Sequence, residues 1–227
     1  MAKRIGRRTI EFENRPAIIG YGSVVGKNEQ EGPIGEEFDS FSRDSRFGEE
    51  TFEKAESRLQ SIAVDKALAR AKLKASDIDC IFAGDLLNQC IGSSFSIRES
   101  GIPFVGLYGA CSTMALGLIN ASVMVDSHAA NRAAVVTSSH FCSAERQYRF
   151  PLEYGSQRTP TAQWTVTGSG AVVLESAKEG PYIKMATIGE IKDMGVTDAN
   201  NMGAAMAPDD VKIRPYPTNE GMVFFYT

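Results

Sequence analysis

The sequence contains very little histidine. Its 227 residues include only His128 and His140, its four cysteines lie far apart, and neither a CxxC nor an HxxxH spacing occurs. Closely spaced ligands of these types build most zinc sites, so we expect no metal site and no other cofactor. The scarcity also restricts acid–base chemistry, for which histidine is the commonest side chain.

The sequence also lacks a basic excess and a long apolar run. Its 24 Lys and Arg residues stand against 28 Asp and Glu, a net charge of -4, whereas nucleic-acid-binding domains are usually basic. No apolar stretch reaches the roughly 18 residues that a bilayer span needs. The opening segment KRIGRRTIEFENR is charged and lacks the apolar core of a signal peptide. The cysteines are therefore expected to be reduced thiols in a cytosol-like compartment.

Apolar segments alternate between the periodicities of strands and helices. Runs rich in Val and Ile predict buried strands at 16–26, 77–86, 102–109, 131–141 and 165–176. Helical spacing predicts helices at 51–73, 93–99 and 112–126, and the charged stretch 27–50 is predicted to be a long loop. Strands that alternate with helices favour an α/β fold with a mostly parallel sheet layered with helices.

The segment GLYGACSTMALGLINASVM places a cysteine at the start of a very apolar helix. A helix that is apolar all round is buried between layers, so 112–126 is predicted to be a central buried helix between two sheets. Cys111 then lies at its N-terminus, where unpaired N–H groups and the helix dipole lower a thiol pKa or hold a carboxylate. Gly109 is expected to permit the tight turn before it. The alternative is that Cys111 is a small core residue.

Polar residues elsewhere are candidates for the same site. Asp85 and Asn88 follow the second predicted strand, at the carboxyl end where open α/β sheets bind ligands. His140 ends the fourth predicted strand and is the one histidine placed to act as a base for a nucleophilic Cys111. Each also has a purely structural interpretation, with Asp85 as a loop acid or helix cap and His140 as a hydrogen-bonded residue at a sheet edge.

Longer segments resemble the thiolase superfamily. SIAVDKALARAKLKASDIDCIFAGD is similar to the helix–strand unit of ketoacyl synthases. YGACSTMALGLINASVMVDSHAANRAAVVTSSH is similar to their nucleophile helix and next strand, and TGSGAVVLES to the glycine-rich strand that follows. The resemblance implies a thiolase-like fold of two similar halves, with the superfamily's nucleophile at Cys111.

The resemblance is closer to one branch, a family of sporulation proteins from spore-forming Firmicutes. FAGDLLNQCIGSSFSIRESGIPFVGLYGACSTMA and SHFCSAERQYRFPLEYGSQRTPTAQWTVTGSGA carry it, and it extends over about residues 1–207. It implies a non-catalytic protein that binds dipicolinic acid (pyridine-2,6-dicarboxylate) and supports its uptake into the developing spore. It also implies action beside stage V sporulation channel proteins, peripherally on the cytoplasmic side of the spore inner membrane. Thiolase relatives pair through the strand before the nucleophile helix, so a homodimer is expected.

The chain departs from the superfamily in its second half. Residues 1–199 resemble the first half, and only this half is expected to be complete. Residues 200–227 look like the start of the second half followed by an atypical tail. The second half supplies the catalytic histidines of the superfamily, so this departure favours binding over catalysis.

Three functions are compatible with these residues. In the first, the helix N-terminus at Cys111 and Ser112 holds a carboxylate of dipicolinate, with Asn88 and His140 as further ligand-binding residues. Asp85 would repel the free dianion, so it approaches a bound calcium ion or donates while protonated. In the second, Cys111 is the nucleophile of an acyl-transferring, ketoacyl synthase-like condensing enzyme. In the third, the protein is a scaffold subunit with a vestigial pocket.

Overall fold

The fold consists of two β-sheets with helices packed on and between them. The computed structural model describes residues 2–148, 165–191, 193, 195–197 and 222–226, with the backbone alone for 145–148 and 222–226. The strands are β1 (Lys3–Ile5), β2 (Thr9–Glu11), β3 (Pro16–Val25), β4 (Ser40–Phe41), β5 (Cys80–Gly84), β6 (Phe104–Gly106), β7 (Arg132–Ser139), β8 (Gly168–Ser176), β9 (Ile183–Ile188) and β10 (Met222–Tyr226). The helices are α1 (Lys27–Gln30), α2 (Phe52–Ala71), α3 (Ile91–Arg98), α4 (Thr113–Asp126) and α5 (Phe141–Tyr148).

The larger sheet has six strands in the order β4-β3-β8-β7-β5-β6. β5 pairs in parallel with β6 and β7, and β3 pairs in parallel with β4. β8 runs antiparallel to both of its neighbours, β3 and β7. The sheet is therefore mixed, with three parallel pairs among five, and the predicted α/β architecture is confirmed.

Helix α2 covers one face of the larger sheet. Thr51 caps its start by accepting a hydrogen bond from the Lys54 N–H at 3.2 Å, and Lys72 ends it in a left-handed conformation. The helix crosses β3 so closely that a Cβ on Gly22 would lie 2.5 Å from the Ala63 carbonyl oxygen. The glycines of the GYG segment therefore serve helix–sheet packing.

Helix α4 lies between the two sheets. Its residues Leu118, Ile119, Ala121 and Val125 belong to one buried cluster. That cluster also contains Phe82, Ala133, Val135 and Leu174 of the larger sheet and Ile183 and Ala186 of the smaller one. Every residue of α4 is buried or half-buried. The prediction of a central buried helix after Cys111 is therefore confirmed.

The smaller sheet, in the order β1-β2-β9-β10, is not predicted as strands from the sequence. β1 and β2 form a hairpin from the basic opening segment, with Gly6 (φ +61°) in its turn. β9 pairs antiparallel with β2 and in parallel with β10, which comes from the atypical tail. Residues 200–221 and 227 lie outside the described residues, so the proposed domain division at 199 stays a prediction.

The stretch 27–50 is more structured than predicted. It contains α1, a 3₁₀ turn at Gly35–Glu37 and the short strand β4. The strand predicted at 77–86 begins later, at Cys80, because the preceding Ala75–Asp77 forms another 3₁₀ turn. Across the described ranges, no helix is long and apolar enough to cross a bilayer.

Candidate functional site

A cavity of about 1040 Å³ opens at one end of the larger sheet. It lies where β5 and β7 end and β8 begins, beside the start of α4 and the segment after β3. This edge is the usual ligand-binding position of an α/β sheet, and the volume is at the upper end of the range for small-molecule sites. The lining residues are Ser23, Val25, Glu29, Gly32, Pro33, Ile34, Phe38, Gly84, Asp85, Leu86, Ala110, Cys111, Thr113, Met114, Thr137, Ser138, Ser139, Ala144, Thr165, Val166, Gly168, Ser169 and Gly170.

Cys111 lies in a 3₁₀ turn, Ala110–Ser112, that leads into α4. It is exposed and lines the cavity, which excludes the alternative of a small core residue. The expectation for Gly109 is wrong, because its φ is -136° and Ala110 adopts the left-handed conformation instead (φ +46°). Thr113 stabilises this strained residue: its hydroxyl donates to the Ala110 carbonyl at 2.7 Å and accepts from the Gly109 N–H at 3.1 Å.

The first turn of α4 has no side-chain cap. Ser112 occupies the N-cap position, yet its hydroxyl donates to the Gly109 carbonyl and makes no capping bond to the helix amides. The preceding 3₁₀ turn pairs the Ser112 N–H with the Gly109 carbonyl and the Thr113 N–H with the Ala110 carbonyl, so the positive end of the helix dipole is what attracts an anion here. Cys111, Thr113 and Met114 line the cavity at this point, so the helix start adjoins the cavity.

Two carboxylates line the cavity. Asp85 is 2% exposed and accepts hydrogen bonds from the Leu87 N–H (2.8 Å), the Ser93 N–H (2.7 Å) and the Ser93 hydroxyl (2.6 Å). Glu29 accepts from the Thr167 N–H at 3.0 Å. The described lining residues include no Lys, Arg or His, so the described wall carries negative charge only. Over the same part of the chain, no three His, Cys, Asp or Glu side chains are grouped to hold a metal ion.

The structure separates two of the predicted site residues from this cavity. Asn88 is exposed and does not line it. His140 is 1% exposed and does not line it either. Its Nδ1 accepts from the Cys142 N–H at 3.1 Å, so Nε2 carries the proton and donates to the Ser45 carbonyl at 2.7 Å. These bonds give His140 a structural role.

A buried chain of hydrogen bonds lies behind the cavity wall and is not predicted from the sequence. We call it the buried polar chain, and it runs through Asp85, Ser93, Gln60, Ser138, Glu56 and Ser143. Glu56 and Gln60 belong to α2 and are fully buried. They are four residues apart and lie on the same face of the helix as Ala63 and Ala67. This spacing is the one signal in the sequence that places both polar side chains on the buried face.

Burial changes the acid–base behaviour of Glu56. Desolvation raises the pKa of this carboxyl to about 7. Hydrogen bonds from Ser143 and Ser138 oppose the rise, whereas the charges of Asp85 and Glu53 add to it. Glu56 therefore titrates near neutral pH, and it is hydrogen-bonded to Ser138, a residue of the cavity wall.

Comparison with known proteins identifies the family. Residues 6–215 match the family model described as Stage V sporulation protein AD (SpoVAD). The chain is 42% identical over 206 residues to Stage V sporulation protein AD of Bacillus subtilis (strain 168). The chain belongs to the stage V sporulation protein AD family. The match covers 91% of this SpoVAD-family chain and 61% of the relative, so the chain spans less than two thirds of that protein's length.

Solved structures show that the SpoVAD-family chain has a thiolase-like fold. The 3-oxoacyl-[acyl-carrier-protein] synthase III of Aquifex aeolicus VF5 superposes with a TM-score of 0.50 at 18% identity, covering 72% of this chain and 55% of that one. A single-residue variant of OleA from Xanthomonas campestris superposes with a TM-score of 0.51 at 15% identity, covering 77% of this chain and 63% of that one. At these identities the similarity concerns the fold alone.

Proposed function

We propose that this cavity binds dipicolinic acid and that the protein supports uptake of the acid into the developing spore without catalysing a reaction. The observation that carries the proposal is the positive end of the α4 dipole, which has no side-chain cap and lies beside a cavity at the ligand-binding edge of the sheet. A flat aromatic dicarboxylate fits a cleft that combines apolar walls with a few polar groups. Val25, Ile34 and Phe38 supply apolar wall, and Cys111 marks the helix start.

The charge of the wall favours dipicolinate in the form of its calcium chelate. Asp85 and Glu29 repel a free dianion, whereas a one-to-one chelate with calcium is neutral. Because Asp85 acts as an acceptor in all three of its hydrogen bonds, it suits an approach to a bound cation better than donation to a carboxylate.

Acyl transfer is the second candidate, and the exposed thiol of Cys111 in the cavity is the observation that favours it. A nucleophilic cysteine needs a base. His140 uses both ring nitrogens elsewhere, and none of the described lining residues is a histidine. Incubation with an acyl thioester followed by mass spectrometry discriminates, since an enzyme of this type acquires an acyl group on Cys111.

The expected assembly rests on one edge of the larger sheet. β6 pairs only with β5 and leaves its outer side without a partner strand within the described chain. Phe104 and Val105 of this strand are exposed. We propose that two copies pair here, and that the dimer acts peripherally at the cytoplasmic side of the spore inner membrane with stage V sporulation channel proteins.

Calorimetric titration tests the ligand. Dipicolinate added with and without equimolar calcium should give saturable heat, with tighter binding when calcium is present. Cys111→Ala should weaken binding about fivefold, the effect of roughly 1 kcal/mol of lost contact. Cys111→Trp fills the start of the cavity and should abolish binding.

The matched control is Cys142→Ala, which removes a half-buried thiol that does not line the cavity. It should bind like the wild type. A folded wild-type chain that gives no heat under either condition would falsify the proposed ligand. If Cys142→Ala weakens dipicolinate binding as much as Cys111→Ala does, the ligand does not bind at the start of α4.

A further inference from the structure

Ser138 connects the cavity to the buried polar chain. It lies at the end of β7, lines the cavity and is 8% exposed. Behind it, its hydroxyl donates to Glu56 Oε1 at 2.9 Å and accepts from Gln60 Nε2 at 2.8 Å. One residue therefore both lines the cavity and holds a buried carboxyl of α2.

The Ser138 hydroxyl can change its donor partner according to the protonation state of Glu56. A hydroxyl has one hydrogen to donate and two lone pairs that accept. While Glu56 is ionised it can only accept, so it takes the single hydrogen of Ser138. Once Glu56 is protonated it can donate, and Ser138 then accepts from both Glu56 and Gln60. Its own hydrogen is then free to turn toward the cavity.

We propose that Glu56 and Ser138 form a proton-controlled donor, in which protonation of Glu56 turns the Ser138 hydroxyl toward the cavity to donate to a carboxylate of the ligand. The identity of that ligand rests on the proposed function, whereas the donor itself does not. The proton comes from solvent and stays on Glu56, and the ligand gains one hydrogen bond. Binding of a carboxylate ligand is therefore coupled to uptake of one proton.

The charges around Glu56 support this coupling. Asp85 faces it from the end of β5 and Glu53 from its own helix, and both disfavour a second negative charge. Gly92 of α3 lies against the Asp85 carboxylate and the Glu56 side chain, since a Cβ there would be 3.2 Å from Asp85 Oδ2 and 3.4 Å from Glu56 Cγ. The described neighbours from β7 and α5 are serine hydroxyls. His140, between those elements, uses Nδ1 as an acceptor, which is the neutral form.

The coupling has a definite sign. The Ser138 hydroxyl can donate to a ligand carboxylate only when Glu56 is protonated, so the ligand binds the protonated protein more tightly. Because the pKa of Glu56 is about 7 in the free protein, affinity should fall about tenfold as the pH rises from about 6 to 8. Dipicolinate contributes no change of its own, because its carboxyl groups stay ionised over this range.

Titration calorimetry in buffers of different ionisation enthalpy counts the protons taken up. When dipicolinate binds at about pH 8, each wild-type chain should take up close to one proton. At about pH 6 it should take up almost none, because Glu56 is already protonated. Glu56→Gln replaces the acid by a group that always donates, so it should bind with pH-independent affinity and take up no proton. Ser138→Ala should lower the affinity at about pH 6 by about tenfold and remove most of the pH dependence.

Glu179→Gln is the matched control, since it makes the same change at an exposed residue between β8 and β9, outside the cavity lining. It should keep the pH dependence and the proton count of the wild type. Proton uptake that survives in Glu56→Gln, or wild-type binding with no proton uptake at about pH 8, overturns the proposal.

A measurement without ligand separates the two proposals. Difference infrared spectra between about pH 6 and 8 should show the carbonyl band of a protonated buried carboxyl, and Glu56→Gln should lack it. Absence of the band from the wild type overturns the proton-controlled donor whatever the ligand does. A band that titrates in a protein giving no heat with dipicolinate overturns the proposed ligand and supports the donor.

Discussion

At the scale of single residues, Glu56 makes the stability of the fold depend on pH. It is fully buried, and burial raises the pKa of its carboxyl from 4.5 to about 7. Unfolding returns the carboxyl to water and to its ordinary pKa. Between these two values the folded chain binds more protons than the unfolded chain, so a rise in pH through this window lowers the stability.

The free energy of unfolding should fall by roughly 2–3 kcal/mol between about pH 5 and pH 8, because each unit of pKa difference contributes about 1.4 kcal/mol. In Glu56→Gln, which keeps the shape of the side chain without the ionisable proton, the stability should change far less. Chemical denaturation at each pH measures both. Glu179→Gln should retain the wild-type slope, and a slope in Glu56→Gln equal to that of the wild type contradicts the expectation.

Sequence reasoning locates part of the cavity and misses the groups behind it. The predicted strand end at Asp85 and the predicted helix start at Cys111 place these two residues in one site, and both line the cavity in the structure. Whether Asn88 and His140 bind ligand stays a prediction, although neither lines the cavity. The burial of Glu56 is not predicted, because a polar residue in an amphipathic helix is usually solvated. Its hydrogen-bond partners Ser138 and Ser143 also lie far away in the chain.

At the scale of elements, the crossing of α2 over β3 depends on a missing side chain. A Cβ on Gly22 would approach the Ala63 carbonyl oxygen to 2.5 Å and Lys66 Cβ to 2.6 Å. Both contacts are shorter than real Cβ atoms make, so the helix would have to move away from the strand. The displacement would disturb the core between α2 and the larger sheet.

Gly22→Ala should lower the free energy of unfolding by about 1–3 kcal/mol, the usual cost of an overpacked core. Denaturant midpoints measure the change. Gly170→Ala in β8 is the matched control, because a Cβ there meets only Met114 Cε at 3.8 Å. It should change the stability by about 0.5 kcal/mol or less. Equal losses in the two variants would attribute the effect to the strand backbone instead of the helix crossing.

Length and regularity decide which elements can be predicted. The strands β3, β7 and β8 and the helices α2 and α4 are long, and each has a clear apolar pattern. The smaller sheet combines three- to six-residue strands with a five-residue strand from the distant tail. Such short segments show almost no periodicity, and the contacts of β2 and β9 with the cluster around α4 are not visible in their sequence pattern.

At the scale of the whole molecule, the larger sheet ends in an exposed, apolar strand. Phe104 and Val105 of β6 are exposed, as are Ile91 and Phe95 of the neighbouring helix α3. An unpaired edge with apolar neighbours favours association with another strand, and a two-fold axis lets the same strand of two copies pair. The expected homodimer would extend the sheet across both subunits.

Val105→Lys places a charge at the centre of β6 and should weaken dimerisation at least about tenfold. Sedimentation velocity over a concentration series measures the dimer fraction of the wild type and the variant. Ile5→Lys is the control, because Ile5 is an equally exposed residue of the edge strand β1 in the smaller sheet. A monomeric wild type, or a dimer that Ile5→Lys disrupts as strongly, rules out pairing through β6.

The uneven exposure of the four cysteines makes the protein selectively labelable. Cys80 and Cys90 are buried, and burial raises the pKa of both thiols, which slows their alkylation. Cys142 is half-buried, whereas Cys111 is exposed at the cavity wall. A maleimide dye should therefore attach first, and with a stoichiometry of about one per chain, at Cys111. A ligand that fills the cavity should cover this thiol, so the rate of labelling at Cys111 reports how much of the protein is occupied.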